Sequence, residues 1–493
     1  MSRRRQDGRR AARMVALLAM GLGVFAMGAI AAAAPPGNDA VGRATLIATG
    51  AGREDHEKIV RQFGGETTHA GIGAYVRAVG EKLVKQTAMA DRRFTFTVLN
   101  SDFINAFARP GGYVYVTRGL LALADNEAEL AAVLAHQIGH VTARHVERRA
   151  SNLLRAQLAL AFLGERLDVG RVDELLGLRR LLKLQSYNAE QEFEADTLGE
   201  RYLIAAGYNP DAMSGFFEKL RAAQALQARL AGNGGGQLGV IASRLRTAEA
   251  VEHAAQIART QVRAATRPRI GVAAYMRRID GLFYMGDPRN GFVRGRRFVH
   301  PALRFSFTVP PGFQIVNGQK AVMAVGPGKA LILFDFHERP GDIGMLHYLR
   351  DVWGYSLPLM GLERLRIGVL PGATAVARID SREGPMDVRL VAVPYGGRRA
   401  ARFLFITPPA ATRRLSVALR RMTYSFRRLT FDEAGALPAL RLRTARVQPG
   451  ETVRDFAARM PFASDRLARF RVLNGLAPGE TLTDGRWVKF VVE

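Results

Sequence analysis

Two histidines four residues apart constrain this chain more than any other feature. Residues 135–140 read Ala-His-Gln-Ile-Gly-His within a stretch with a helical pattern. On a helix, residues four apart project from one face, so His136 and His140 can close on a single tetrahedral zinc ion. The spacing therefore predicts a helix whose two histidines can bind one zinc ion together.

The residue beside the first histidine is Gln137. In hydrolytic zinc sites with this histidine spacing, a glutamate at that position takes the proton from zinc-bound water. An amide can hydrogen-bond the water, but neither its oxygen nor its nitrogen is a usable base near neutral pH. The pattern thus predicts a site that holds one zinc ion and hydrolyses peptides poorly.

The residues before and around this pair have a readable order. Residues 53–89 favour a helix, and Phe94, Phe96 and Val98 alternate as in a strand. A turn at Gly111 and Gly112 precedes the extended run Tyr113, Val114, Tyr115 and Val116. Asn126 can cap the next helix, and Glu129 three residues later would complete a capping box. Residues 151–185 are leucine-rich and predict helices folded over the site, and residues 190–204 predict a further helix.

The N-terminus predicts export. Six arginines lie among the first 13 residues, and an apolar run from Met14 to Ala34 ends in small residues before Pro35. This pattern predicts a signal peptide at residues 1–34, with an uncleaved inner-membrane anchor as the alternative because the run is long enough to span a bilayer. The chain has no cysteine, so its stability after export must come from packed cores.

The formal net charge is +27. This charge favours anionic envelope polymers, lipid headgroups and thus membrane association, or acidic client proteins, although an arginine-rich codon composition explains it equally well. The basic residues are spread along the chain without interleaved aromatic residues, so we expect no nucleic-acid partner.

In the second half of the chain, the spacing of apolar residues changes from a helical pattern to the alternation of strands. Residues 266–295, rich in Arg, Gly and Pro, are interpreted as a connector. Alternation at Phe305 and Phe307, and a short buried run from Leu331 to Phe336, predict an α+β domain over residues 296–430 with helices near 342–353 and 411–425. No catalytic constellation is visible in it.

Three separate elements give a resemblance to a known family. The segments NAFARPGGYVYVTRGLL (105–121), ELAAVLAHQIGHVTARH (129–145) and EFEAD (192–196) appear in the order found in HtpX/BepA-type gluzincin zinc metallopeptidases, peptidase family M48. The resemblance covers about residues 45–260 and implies a mainly α-helical zinc-peptidase domain over residues 41–265.

Carried over residue by residue, the resemblance implies that His136, His140 and Glu192 are the zinc ligands. It implies that Asp196, four residues after Glu192 on one helical face, supports a ligand histidine. The family acts in periplasmic protein quality control or outer-membrane protein assembly. We expect the strand Tyr113 to Val116 to bind extended or unfolded polypeptides by β-augmentation.

Two further departures accompany Gln137. The Ser-Arg pair that opens the third-ligand motif of the family is Asn188-Ala189 here, and the downstream His-Pro is Ala248-Glu249. Three changes at catalytic accessories, with the ligands retained, favour natural loss of peptidase activity over a single trapped residue.

The last segment, residues 446–493, resembles a LysM-like module, a small βααβ fold that binds N-acetylglucosamine polymers such as peptidoglycan. The resemblance rests on Gly450-Glu451-Thr452 and Asn474-Gly475-Leu476, so Gly450, Thr452, Asn474 and Gly475 are the candidate glycan-binding residues. The alternative is a small packing module without affinity for glycan.

Together these observations predict an envelope protein in the periplasm: a zinc-binding pseudopeptidase that retains polypeptide binding. A slowly active zinc protease is one alternative. A peptidoglycan-binding scaffold with a purely structural peptidase fold is the other.

Overall fold

A computed structural model describes residues 53, 55–61, 63–145, 187, 189–232, 252–253, 255–256, 268–318, 321–381 and 384–493. The signal peptide or anchor predicted at residues 1–34 and the helices predicted within 151–185 lie outside these ranges. Over the ranges just given, no helix combines the length and the apolar character needed to cross a bilayer.

The first part of the chain builds a small mixed sheet and a set of helices around it. The strands are β1 (Thr95–Leu99), β2 (Ala106–Arg109) and β3 (Tyr113–Thr117). The helices are α1 (Ile72–Val84), α2 (Arg118–Leu123), α3 (Glu127–Thr142), α4 (Ala189–Ala205), α5 (Asp211–Gly232) and α6 (Val272–Ile279). Strand β3 lies in the middle of the sheet, parallel to β1 and antiparallel to β2.

Helix α3 begins at the predicted cap. The Asn126 side chain accepts a hydrogen bond from the Glu129 N–H at 2.9 Å, which satisfies one of the free donors of the first turn. The predicted capping box is altered, because the Glu129 carboxylate accepts the N–H of Asp125 at 2.8 Å instead of that of Asn126. The carboxylate also accepts from the buried ammonium of Lys219 at 2.7 Å.

Helices α3 and α4 approach each other through small residues. A Cβ on Gly139 would lie 2.7 Å from the Ala195 carbonyl oxygen, and one on Gly199 would lie 2.9 Å from the His136 nitrogen. Both distances are shorter than real side chains tolerate, so any larger residue would push the helices apart. This close packing brings the acidic residues of α4 to the histidines of α3.

The segment interpreted as a connector is not a bare linker. Within residues 266–295 the chain forms α6, and its side chains Tyr275, Met276 and Ile279 are buried in the same core as α3. The sequence did not indicate this helix, because Arg, Gly and Pro residues flank its short apolar face.

The middle of the chain forms the predicted α+β region. Seven antiparallel strands have the order β10-β11-β12-β13-β9-β8-β7, and a four-stranded sheet has the order β14-β6-β5-β4. The bounds in the first sheet are β7 Gln314–Asn317, β8 Ala321–Val325, β9 Leu331–Glu338, β10 Met360–Ile367, β11 Leu370–Ser381, β12 Gly384–Pro394 and β13 Arg399–Thr407. Those in the second sheet are β4 Phe292–Arg294, β5 Arg297–His300, β6 Phe305–Thr308 and β14 Arg427–Arg428.

Three helical segments accompany these sheets. Helix α7 (Met345–His347) continues as a π-helix over Tyr348–Trp353, and α8 covers Pro409–Ser425. Both lie within three residues of the predicted bounds. A short helix, α9 (Phe431–Gly435), follows the last strand of the smaller sheet. The two faces of the large sheet border separate apolar cores, one built around Phe334 and Phe403 and the other around Leu333 and Leu404.

The C-terminal segment has the order strand, helix, helix, strand, and its first strand begins before the predicted bound at residue 446. Strands β15 (Arg441–Arg446) and β16 (Trp487–Val492) pair antiparallel, with α10 (Val453–Ala458) and α11 (Arg466–Leu473) between them. From its sequence we expected a separate unit, but the segment shares a core with the first part of the chain. Phe456, Phe470 and Val488 belong to the same buried core as α3.

Candidate metal centre

Three side chains meet between α3 and α4. The Nε2 atoms of His136 and His140 lie 3.0 Å apart, and Glu192 Oε2 lies 3.5 Å and 3.8 Å from them. Ligands of one tetrahedral zinc ion, each at 2.0–2.1 Å from it, would be roughly 3.3 Å apart. All three residues are buried, so the structure brings together the ligands that the resemblance implied.

The chemistry of this donor set fits zinc. Two imidazole nitrogens and one carboxylate oxygen leave a fourth position open, which is the arrangement of catalytic rather than structural zinc sites. Glu192 Oε2 is buried and has no hydrogen-bond donor among the described residues. A buried carboxylate oxygen without a donor is costly unless a cation satisfies it.

Asp196 orients the first histidine. Its Oδ1 lies 2.8 Å from Nδ1 of His136, and both side chains are buried. A proton on Nδ1 that is donated to Asp196 leaves the lone pair of Nε2 directed at the metal position. This is the role that the resemblance implied for Asp196.

A second relay supports the other histidine. Nδ1 of His140 lies 3.1 Å from Nδ1 of His145, and Nε2 of His145 lies 2.9 Å from Glu194 Oε2. When Glu194 accepts a hydrogen bond from the Nε2–H of His145, Nδ1 of His145 carries no proton. It can then accept a hydrogen bond from the Nδ1–H of His140. Nε2 of His140 is then left for the metal. The Tyr187 ring stacks on His140 at 3.7 Å between centroids.

Sequence reasoning missed this relay. The sequence indicated that His145 is a surface or hydrogen-bonded histidine rather than a ligand, which agrees with its hydrogen bonds, but it indicated no contact between Glu194 and the site. His145 is in fact buried, with 1 % of its surface exposed. Its position five residues after His140, just past the end of α3, was the available signal. This spacing does not predict the contact by itself, because the contact depends on how the chain turns after α3.

The pKa values of the two ligand histidines are shifted in opposite directions. Burial opposes a charge on His136, but the hydrogen bond to Asp196 and the nearby Glu192 carboxylate outweigh it and raise the pKa of His136 to about 9. Burial lowers the pKa of His140 to about 4. The two histidines hold the pKa of Glu192 well below its ordinary value despite its burial. Without metal, His136 therefore carries a proton on each ring nitrogen near neutral pH, and the proton on Nε2 occupies a zinc-binding position.

Gln137 is buried on α3 directly after the first ligand. Its amide is the group that the helix places where a general base would stand. The other two departures, Asn188-Ala189 and Ala248-Glu249, rest on residues 188, 248 and 249, outside the described ranges. A histidine that we did not single out, His253, has its Nδ1 3.9 Å from Asp196 Oδ2.

The strand assignment for polypeptide binding needs correction. Tyr113, Val114, Tyr115 and Val116 lie in β3, and both edges of β3 are already paired, with β1 and with β2. A strand in the middle of a sheet has no free backbone groups for an added peptide. Strand β2 packs against α3, and in the part of the chain that the structure describes no strand occupies its outer edge.

The candidate glycan-binding residues of the tail divide into two pairs. Asn474 is buried, where its side chain donates to the carbonyls of Phe470 and Lys489 and accepts the Lys489 N–H. A Cβ on Gly475 would lie 2.7 Å from Cε of Lys219. These two residues therefore serve the packing of the tail. Gly450 and Thr452 are exposed, and Thr452 caps α10.

The comparison with known proteins agrees with the family that the motifs indicated. A family model described as Peptidase family M48 matches residues 73–276, which span α1 to α6. This part of the chain is similar to peptidase family M48, the family that its motifs indicated.

The chain is also similar to individual proteases of bacteria and of a yeast. The beta-barrel assembly-enhancing proteases of Escherichia coli and Yersinia pestis are 34% and 37% identical over 157 and 155 residues. A mitochondrial metalloendopeptidase of Schizosaccharomyces pombe is 33% identical over 153 residues, which cover 30% of this chain and 44% of that protein. The bacterial matches each cover 30% of this chain, which spans about a third (32%) of those relatives.

Proposed function

We propose that this protein is a zinc-binding M48 protein of the cell envelope that binds extended polypeptides and hydrolyses them weakly or not at all. The observation that carries the proposal is the complete ligand set His136, His140 and Glu192 beside an amide at Gln137. Metal binding needs only the ligands, whereas efficient hydrolysis also needs a base worth about 10²–10⁴-fold in rate.

The residues around the metal position have different roles. Zinc, when bound, would act as a Lewis acid toward a substrate carbonyl. Asp196 and His145 fix the proton on Nδ1 of each ligand histidine and so aim each Nε2 at the metal position. Gln137 can donate or accept one hydrogen bond there, but it cannot remove a proton.

The outer edge of β2 is the surface we assign to polypeptide binding. Extended peptides add to an exposed sheet edge through main-chain hydrogen bonds, and β2 is the edge strand that packs against the histidine helix. A client strand bound along Ala106–Arg109 would run past the metal centre.

The proposed location in the envelope is supported by the signal peptide or anchor predicted at residues 1–34 and by the names of the bacterial relatives. We propose a role in outer-membrane protein assembly or quality control, with the chain either released into the periplasm or anchored in the inner membrane. Unfolded outer-membrane proteins would be natural clients, because their strands present free main-chain groups.

The test combines crosslinking with a cleavage assay. The zinc-loaded full chain, with a photo-crosslinking residue at Ala106 or at the distant exposed Val369, is incubated with an unfolded protein. We expect crosslinks from position 106 only, and no cleavage. Chelator-sensitive cleavage by the native chain would favour the slowly active protease, and equal crosslinking from both positions would contradict the β2 site.

A peptidoglycan-binding scaffold is the other candidate, and the exposed side of the βααβ segment is what supports it. Deleting the tail would also remove buried residues, so the test uses two exposed positions, Arg454→Glu with Leu467→Glu. Reduced sedimentation with purified peptidoglycan, at unchanged thermal stability, would favour the scaffold. Unchanged sedimentation would speak against glycan binding by this face.

A further inference from the structure

Helix α8 has one apolar side and one arginine-rich side. The apolar side is buried against the large sheet through Ala411, Leu415, Leu419, Met422 and Thr423. The opposite side exposes Arg413, Arg414, Val417, Arg420, Arg421 and Tyr424, and we call these six residues the α8 arginine face.

The exposed residues form a line along the helix. Arg413, Val417, Arg420 and Tyr424 follow one another at intervals of four, three and four residues, so they lie on one side of α8. Arg414 and Arg421 flank this line, two turns apart. Arg413 and Arg421 are eight residues apart, so the four arginines lie within about 12 Å along the helix axis.

Among the described residues, no ion pair neutralises this positive charge. Helix α8 contains no acidic residue, and among the described residues no carboxylate lies within ion-pair distance of its four arginines. Other exposed arginines of the same region do have partners: Arg350 lies 2.8 Å from Asp351, and Arg378 lies 2.7 Å from Asp387.

We propose that the α8 arginine face binds the surface of an anionic phospholipid bilayer. Guanidinium groups bind phosphate oxygens in a bidentate manner and hold them better than ammonium groups do. Val417 and Tyr424, 57% and 51% exposed within the same face, would enter the headgroup region, where tyrosine is favoured. This binding needs neither zinc nor a polypeptide client, so it goes beyond the proposed function.

The shape of the face favours a bilayer over an acidic polypeptide. An α-helix has its main-chain groups satisfied internally, so α8 offers no free strand edge for a peptide. Its exposed side carries two apolar side chains among the charges, so the arginines can reach lipid phosphates while Val417 and Tyr424 contact the headgroup region.

The test measures partitioning of the full chain to vesicles. The α8 variant carries Arg413→Gln, Arg414→Gln, Arg420→Gln and Arg421→Gln. The control carries Arg350→Gln, Arg378→Gln, Arg443→Gln and Arg459→Gln, four exposed arginines that are ion-paired. Both lose four charges. We expect the native chain and the control to bind phosphatidylglycerol-containing vesicles, and the α8 variant to bind at least about tenfold more weakly.

The remaining outcomes separate the alternatives. Val417→Ser with Tyr424→Ser keeps every charge and should still weaken partitioning by about threefold or more. Equal losses in the α8 variant and the control would indicate binding through net charge alone and overturn the proposal. Absence of vesicle binding by the native chain would overturn it too, as would equal binding to neutral phosphatidylcholine vesicles. So would an α8 variant that loses affinity for soluble polyglutamate while keeping its affinity for vesicles.

Discussion

Nζ of Lys489 lies 2.7 Å from Oδ1 of Asp125, so the last strand of the chain is joined to the residue just before the cap of the histidine helix. The lysine is fully buried and also donates to the carbonyl oxygens of Ala122, Leu123 and Ala124 at 2.7–2.9 Å. Asp125 is shared with Lys219, which binds Glu129 as well. The C-terminal segment is therefore part of the structure that positions α3.

Lys489→Met should destabilise the whole fold. It removes one partner of a buried ionic cluster and leaves three carbonyl groups without their donor, which costs about 3–5 kcal/mol in the free energy of unfolding. Urea denaturation of the metal-free protein measures this. Arg454→Met, at an exposed position of α10, is the control and should stay within about 0.5 kcal/mol of the native protein. Equal stability of the two variants would mean that the tail is not held by this cluster.

The metal centre should hold one zinc ion per chain. His140→Ala removes one of only three protein ligands, so we expect it to abolish stoichiometric binding and to remove the zinc-dependent rise in melting temperature. Elemental analysis after zinc loading and desalting checks both. His347→Ala, an exposed histidine paired with Asp351, should bind zinc like the native chain. A native chain without zinc under these conditions would refute the ligand assignment.

His145 should matter for zinc affinity although it does not touch the metal position. Replacing it by Ala leaves His140 without an acceptor for its Nδ1 proton, and loss of such partners typically weakens metal binding by 10–100-fold. Competition with a chromophoric chelator measures the affinity. Glu194→Gln, which weakens the same relay one step further out, should have a smaller effect. If His145→Ala binds zinc as tightly as the native chain, the relay has no positioning role.

Zinc affinity should rise with pH up to about 9. Because the pKa of His136 in the folded, metal-free protein is raised above its ordinary value, the stability it contributes is present below about pH 6.5. It is lost as the pH rises through about 9. Zinc must displace this proton, so apparent affinity should increase about tenfold per pH unit between 7 and 9.

Asp196→Asn provides the internal check on this pH dependence. It removes the carboxylate that holds the proton on His136, so the affinity should level off at a lower pH. A flat profile in the native chain between pH 7 and 9 would contradict the protonated His136.

Gln137→Glu should increase peptide cleavage, because it restores a group that accepts a proton. A general base contributes about 10²–10⁴-fold, and we expect less than this range because Asn188-Ala189 and Ala248-Glu249 also differ from the family pattern. Cleavage of an unfolded protein by the zinc-loaded native and variant chains gives the ratio. Vigorous turnover by the variant would instead show that Gln137 is the single defect, and equal turnover would show that the base is dispensable.

Short-range patterns determined the elements that carry the site. The four-residue spacing of His136 and His140 and the cap at Asn126 depend on neighbours within one or two helical turns, and both formed as predicted. Alternation at Phe305 and Phe307 likewise fixed a strand, because side chains of a strand change face at every residue. A sequence contains these periods directly.

The tertiary structure decided which groups meet. Nothing in the residues of β3 indicates that β1 and β2 occupy both its edges, because strand pairing joins segments through backbone atoms that every sequence shares. The burial of His145 and of Lys489 is equally invisible, since a charged or polar side chain is buried only where distant partners satisfy it. The sequence by itself thus determined the local elements and the ligand residues of α3. Only the tertiary structure decided the position of the C-terminal segment, the hydrogen bonds of His145 and the free edge of β2. Each depends on contacts between residues far apart in sequence, such as Asp125 and Lys489.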